Sequence, residues 1–146
     1  MRQLTLAIAA FMLFLLPEWG TDYSSAQKKA RDENKYILIN FSGSDWCIPC
    51  IRMHKELFDS KEFTDLASEK LVLVQADFPR LKKNQLSKDQ TKKNNELADR
   101  YNKEGSFPLT LLLDKDGKLV KRWDGYPDMN PAQFVDAIKS SMNGVK

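Results

Sequence analysis

Apolar residues recur along this chain in two rhythms. Short leucine-rich, β-branched or aromatic runs at 36–41, 71–78 and 109–113 alternate with stretches where apolar residues return every three or four positions. The first pattern predicts buried strands, and the second predicts helices that bury one face. Thr21 is the expected cap of a helix reaching Asn34, with Tyr23, Ala26 and Ala30 on its inner side. Met53, Leu57 and Phe58 mark a helix after Cys47 that breaks at Asp59-Ser60, where Ser60 caps a further turn carrying Phe63 and Leu66. Residues 79–90 read as a long polar connection, followed by a helix over 91–102 with Leu97, Ala98 and Tyr101 inward. Asp114-Lys115-Asp116-Gly117 predicts a hairpin turn leading to a partner strand over 118–123. Asn130-Pro131 then opens a last helix, with Phe134, Ile138 and Met142 on one face. Strands alternating with helices predict an α/β domain built on a central sheet.

Ahead of that domain, residues 1–18 have a different character. Met-Arg-Gln precedes a 13-residue, largely apolar run from Leu4 to Leu16, the pattern of a secretory signal peptide or N-terminal anchor. As a helix the run spans roughly 20 Å, short of the roughly 30 Å hydrocarbon core of a bilayer. Ser24-Ser25-Ala26 has the chemistry of a cleavage site but lies inside the first expected helix. Cleavage between Pro17 and Gly20 keeps that helix whole. Export to a periplasmic or extracellular compartment is therefore expected, with membrane attachment only where the segment stays uncleaved. Residues 19–146 form the expected folded domain, without repeats or a second unit.

The chain's 146 residues carry 23 Lys and Arg against 20 Asp and Glu, a net charge of +3. So weak an excess argues against nucleic acid as a partner, because that needs a concentrated basic face. Arg80, Lys82, Lys83, Lys88, Lys92 and Lys93 against Asp89 do give residues 80–93 a local charge of +5. A solvated loop and helix face is the first reading of that segment, and a docking patch for an acidic partner is the second.

The only cysteines, Cys47 and Cys50, sit in Trp46-Cys47-Ile48-Pro49-Cys50, between a buried strand and the start of a helix. Helix N-terminal N–H groups and the macrodipole favour an anion there, which lowers the thiol pKa from its free value of about 8.5. The Cys47 thiolate is then the expected exposed nucleophile on a substrate disulfide, and Cys50, one turn inside, the shielded resolving thiol. A purely structural disulfide would close too short a loop to add much stability. Zinc wants about four ligands, and the chain offers two cysteines and His54. Haem attachment wants histidine where Ile51 stands. No metal and no cofactor are expected.

The segment Phe41-Ser42-Gly43-Ser44-Asp45-Trp46-Cys47-Ile48-Pro49-Cys50 resembles the active site of the thioredoxin superfamily, in particular its exported thioredoxin-like members. Ser106-Phe107-Pro108 stands where that family places its cis-proline loop. Asp77-Phe78-Pro79-Arg80, the Asp114–Gly117 turn and Gly125 also match, so the resemblance covers 19–143. It implies a central mixed β-sheet flanked by helices, with Pro108 against the Cys47–Cys50 loop. It also implies a substrate surface made by Trp46, Ile48, Pro49, Phe107 and Pro108. Two positions depart from the pattern: Asn40 replaces the buried acid common on the preceding strand, and Leu109 replaces the usual Thr after the loop proline. The first bears on proton handling and the second on substrate fit.

The resulting expectation is an exported, monomeric thiol–disulfide oxidoreductase. It would act on disulfide-containing protein substrates and draw electrons from a thiol donor. Ile48-Pro49 lacks the histidine of strongly oxidising members, which favours reduction. The rival class is a thioredoxin-fold binding module or chaperone-like partner holder with incidental cysteines. His54 is expected on an exposed helix face, Asp114–Gly117 as a turn and not a calcium loop, and the sequon Asn40-Phe41-Ser42 as hidden in its strand.

Overall fold

The computed structural model describes residues 16–144; the signal or anchor assigned to 1–18 falls almost wholly outside them. In chain order the elements are β1 (Trp19–Gly20), α1 (Tyr23–Glu33), β2 (Tyr36–Ser42), α2 (Ile48–Met53), α3 (Lys61–Lys70), β3 (Leu71–Asp77), α4 (Lys88–Tyr101), β4 (Leu109–Leu113), β5 (Leu119–Asp124) and α5 (Pro131–Asn143). The strands form one mixed sheet in the order β1-β3-β2-β4-β5. β1, β3 and β2 run parallel, whereas β4 is antiparallel to β2 and β5 to β4.

Central strand β2 is buried from Ile37 to Ser42 because helices cover both sheet faces. Side chains alternate across a strand, so Leu38 joins Met53, Leu57, Phe58, Phe63 and Phe134 on one face. Ile37, Ile39 and Phe41 join Ala26, Ala30 and Leu97 on the other. α2, α3 and α5 therefore pack on the first face, and α1 and α4 on the second. Among the described residues no helix is long and apolar enough to cross a membrane.

Several boundaries differ from expectation for local reasons. Asp22, not Thr21, caps α1: it is extended, and its carboxylate accepts the Ser25 N–H at 3.1 Å and the Ser25 hydroxyl at 2.5 Å. α4 starts at Lys88, ahead of the expected 91, since the Ser87 hydroxyl accepts the Gln90 N–H. β3 stops at Asp77, whose carboxylate accepts the N–H groups of Ser44 and Phe78. β5 is shifted one residue to Leu119–Asp124. β1, only two residues long beside Leu73 and Val74, is too short to show a periodicity. Ser60 caps α3, and the Asp114 carboxylate accepts the N–H groups of Asp116 and Lys118 in the hairpin, both as expected.

Helix α2 continues through a π-helical turn at His54–Phe58. The wider turn lets consecutive Leu57 and Phe58 both bury while Met53 stays against the sheet.

Asp22→Ala is expected to lower stability by about 0.5–2 kcal/mol, and Thr21→Ala by a few tenths, in denaturant unfolding. The Ser25 hydrogen bonds hold the Asp22 carboxyl below its ordinary pKa. Its contribution is therefore present above the unfolded value and lost as pH falls through the carboxylate range. A larger cost for Thr21→Ala would return the cap to Thr21.

Candidate active site

Ser42 ends β2, and buried Gly43 begins the turn that delivers the cysteines. The Cys47 N–H donates to the Gly43 carbonyl at 2.9 Å, and α2 starts directly after. Cys47 occupies the N-cap, with Pro49 in the first turn. Cys47 and Cys50 are joined in a disulfide with Cα atoms 5.2 Å apart. The Cys50 N–H points at Cys47 Sγ, 3.3 Å away, so a helix N-terminal donor already faces the sulfur that would carry charge. The expected exposure of Cys47 is absent from this oxidised form: Cys47 is 5% and Cys50 2% accessible. Ile48, the residue after Cys47, is the exposed side chain of the motif, at 65%.

Around the disulfide, Trp46 is the organising side chain. Its indole Nε1–H donates to the Phe78 carbonyl at 2.8 Å. Its ring meets Phe107 edge-on at 5.5 Å, and Phe107 meets Phe78 in the same manner at 5.4 Å. That contact brings the 106–108 loop to the redox motif. The Phe107–Pro108 bond is cis and Pro108 is buried, while Ile48 and Pro49 are exposed on the first turn of α2.

Two carboxylates fasten this assembly from below. Asp77 accepts the Ser44 N–H at 2.9 Å and the Ser44 hydroxyl at 2.5 Å. Asp45 accepts the N–H groups of Arg80 and Leu81, both at 2.9 Å, and the Asn84 amide at 3.0 Å. The Arg80 N–H above all holds the Asp45 carboxyl below its ordinary pKa. The Arg80 guanidinium lies 3.6 Å from the Trp46 ring centre. The sequence places Arg80 in a basic run and both Arg80 and Asp45 in segments that carry the resemblance, but it does not show that they meet; partners 35 residues apart leave no spacing signal.

On the other side, Arg52 of α2 lies 4.7 Å over the Tyr126 ring and pairs with Glu56. The Tyr126 hydroxyl donates to Glu56, which keeps that carboxyl low and the phenol high in pKa. These contacts tie α2 to the loop after Gly125.

Asn40 lies on the α2 face of the sheet, 2% accessible, so its sequon is hidden. Its amide donates to Thr110 Oγ1 at 3.1 Å, and that hydroxyl faces Met53 Sδ at 3.7 Å. Leu109, expected to touch substrate fit, is fully buried on the opposite face with Phe41 and Leu111. Its side chain belongs to the core. His54 packs against Trp19 and Phe58, with ring centres 5.3 and 5.5 Å away, and is partly covered rather than exposed.

Residues 23–141 match the family described as Thioredoxin-like domain. The chain belongs to that family. It is 35% identical over 125 residues to a Chlamydia pneumoniae protein named Disulfide bond reductase DsbH, covering 86% of this chain and 72% of that protein. Thioredoxin-related protein DsbJ of the same organism is 27% identical over 120 residues, and the match spans 82% of this chain but 34% of DsbJ. A solved structure of a DsbH oxidoreductase superposes with a TM-score of 0.80 at 33% identity, over 97% of this chain and 92% of that one. A thioredoxin from Thermus thermophilus, at 18% identity and TM-score 0.66 over 88% of each chain, shares the fold. With its paired cysteines this thioredoxin-like protein is a thiol–disulfide oxidoreductase.

A Cβ on Gly43 would overlap the Trp46 indole ring. Gly43→Ala is therefore expected to displace Trp46 from the Phe78 carbonyl and to cost about 1–3 kcal/mol. The exchange rate of the Trp46 indole N–H, followed by NMR, reads this directly. An unchanged rate would show that Gly43 does not set the indole's position.

Proposed function

We propose that the protein is an exported reductase of protein disulfides, with Cys47 as nucleophile and Cys50 as resolving thiol. The observation that carries this reading is the Cys50 N–H aimed at Cys47 Sγ at the start of α2. In the reduced protein that donor and the helix dipole stabilise a Cys47 thiolate. The thiolate attacks one sulfur of the substrate disulfide, and the other sulfur leaves as a thiolate that takes a proton from solvent. Cys50, deprotonated, then attacks Cys47 Sγ and releases the second substrate thiol. The protein ends as the disulfide and the substrate as the dithiol. A thiol donor completes the cycle by reducing Cys47–Cys50 again.

Reduction is favoured over oxidation because Ile48-Pro49 offers the Cys47 thiolate no histidine to stabilise it. The name of the relative DsbH, a disulfide bond reductase, supports the same direction. Export rests on the charged start and apolar run of residues 1–18, and the folded domain would then begin at Trp19. Trp46, Ile48, Pro49, Phe107 and Pro108 form the proposed substrate surface, and the edge-on stack of Trp46 on Phe107 supports this grouping.

Cys47→Ser is expected to abolish reduction of a model disulfide protein in the presence of a dithiol. Cys50→Ser should instead trap a mixed disulfide visible by non-reducing electrophoresis. A binding module with incidental cysteines would be indifferent to both changes, and full activity of Cys47→Ser would end the nucleophile assignment.

Asn40 offers no proton acceptor near neutral pH, so Cys50 is activated by solvent or by the departing thiolate. Asn40→Asp should speed single-turnover release from a Cys47 mixed disulfide around pH 7. It should also destabilise the fold by about 1–3 kcal/mol. Burial raises the carboxyl's pKa, so this cost grows as pH rises from the unfolded value to the folded one and levels off above it. Superimposable profiles for the two proteins from pH 6 to 9 would mean that Asn40 does not communicate with Cys50.

A further inference from the structure

The basic run 80–93 is not one uniform patch. In its helical part Lys92 pairs with Glu96, and Lys93 with Asp22 and Asp89. Arg80, Lys82 and Lys83 are exposed. Among the described residues none of the three has a carboxylate within ion-pair distance. The nearby acids make no ion pair with these side chains: Asp45 and Asp77 accept mainly backbone N–H groups, Asp45 those of Arg80 and Leu81 themselves. Lys88, at the start of α4, is likewise exposed and without an ion pair, so three of the run's four unpaired cations fall within 80–83.

Part of that charge is held against the redox segment. The Arg80 guanidinium lies over the ring of Trp46, the residue before Cys47. A stacked guanidinium keeps its N–H edge free for a planar oxyanion, and stacking limits its motion. The Lys82–Asn84 turn is fixed through the Asn84 amide to Asp45, the residue before Trp46. Large apolar side chains stand exposed at Ile48, the residue after Cys47, and at Leu81, the residue after Arg80. Arg80, Lys82 and Lys83 thus form a cationic shelf tied to the segment that carries the disulfide.

We infer that this shelf docks an acidic stretch of the substrate chain, so that the protein prefers disulfides with Asp or Glu nearby. A carboxylate meets the Arg80 edge, and Lys82 and Lys83 add unpaired positive charge. The inference rests on the reductase reading for the chemistry of the disulfide. Docking itself is a separate equilibrium.

The test uses peptides of one sequence, each closed by one disulfide and flanked by Glu, Gln or Lys. At low salt kcat/KM is expected to fall in the order Glu, Gln, Lys, with Glu over Gln by about three- to tenfold. The differences should shrink as added salt screens the charges. Combining Arg80→Gln, Lys82→Gln and Lys83→Gln should bring the Glu-to-Gln ratio close to one. Lys70→Gln removes a charge at the opposite end of the sheet, just before β3, and should leave that ratio alone. Calorimetric binding of the same peptides with Ser in place of Cys should repeat the ranking without chemistry. Equal binding of the Glu and Lys peptides, or a triple variant with its ranking intact, overturns the inference. An intact binding ranking with no reduction of any peptide supports docking and overturns the reductase reading instead.

Discussion

The double burial of β2 is the constraint on which the rest of this structure depends. Ile37, Leu38, Ile39 and Phe41 are all inaccessible to solvent, and each such side chain stabilises by about 1.5–3 kcal/mol. A one-residue slip would move the whole set to the wrong faces, so the register against β3 and β4 is fixed. That register decides where Ser42 ends and therefore where the cysteines begin. The redox motif is positioned by a strand that takes no part in its chemistry.

The same strand explains Asn40. A polar side chain under α2 needs an internal partner, because an unsatisfied buried amide is costly. Thr110, directly across the sheet in β4, supplies it. The departure at Asn40 and the threonine one position past Leu109 are thus two halves of one arrangement. Neither half is intelligible alone.

Much of this was legible in the sequence because it depends on short-range pattern. β2 and β4 follow from contiguous apolar runs, α5 from Asn130-Pro131 and its apolar stripe, and the redox helix from Trp46 through Cys50. What escaped depends on partners distant in the chain. The cap at Asp22 and the start of α4 at Lys88 turn on which side-chain oxygen reaches a particular N–H. β1 exists only because β3 offers it an edge. The exposure expected of Cys47 follows from its place at the helix start, whereas its burial depends on how the surrounding fold covers that turn. The role of Asp45 is set by a fold that brings residue 80 beside residue 46.

That clamp has a consequence for how such a protein diversifies. Asp45 grips residues 80 and 81 by their main-chain N–H groups, not by their side chains. Every amino acid except proline carries that donor. The side chains at 80 and 81 can therefore change while these two bonds persist, with the Asn84 amide as the side-chain part of the clamp. Recognition and scaffold are separable here, and a new clientele requires no new architecture.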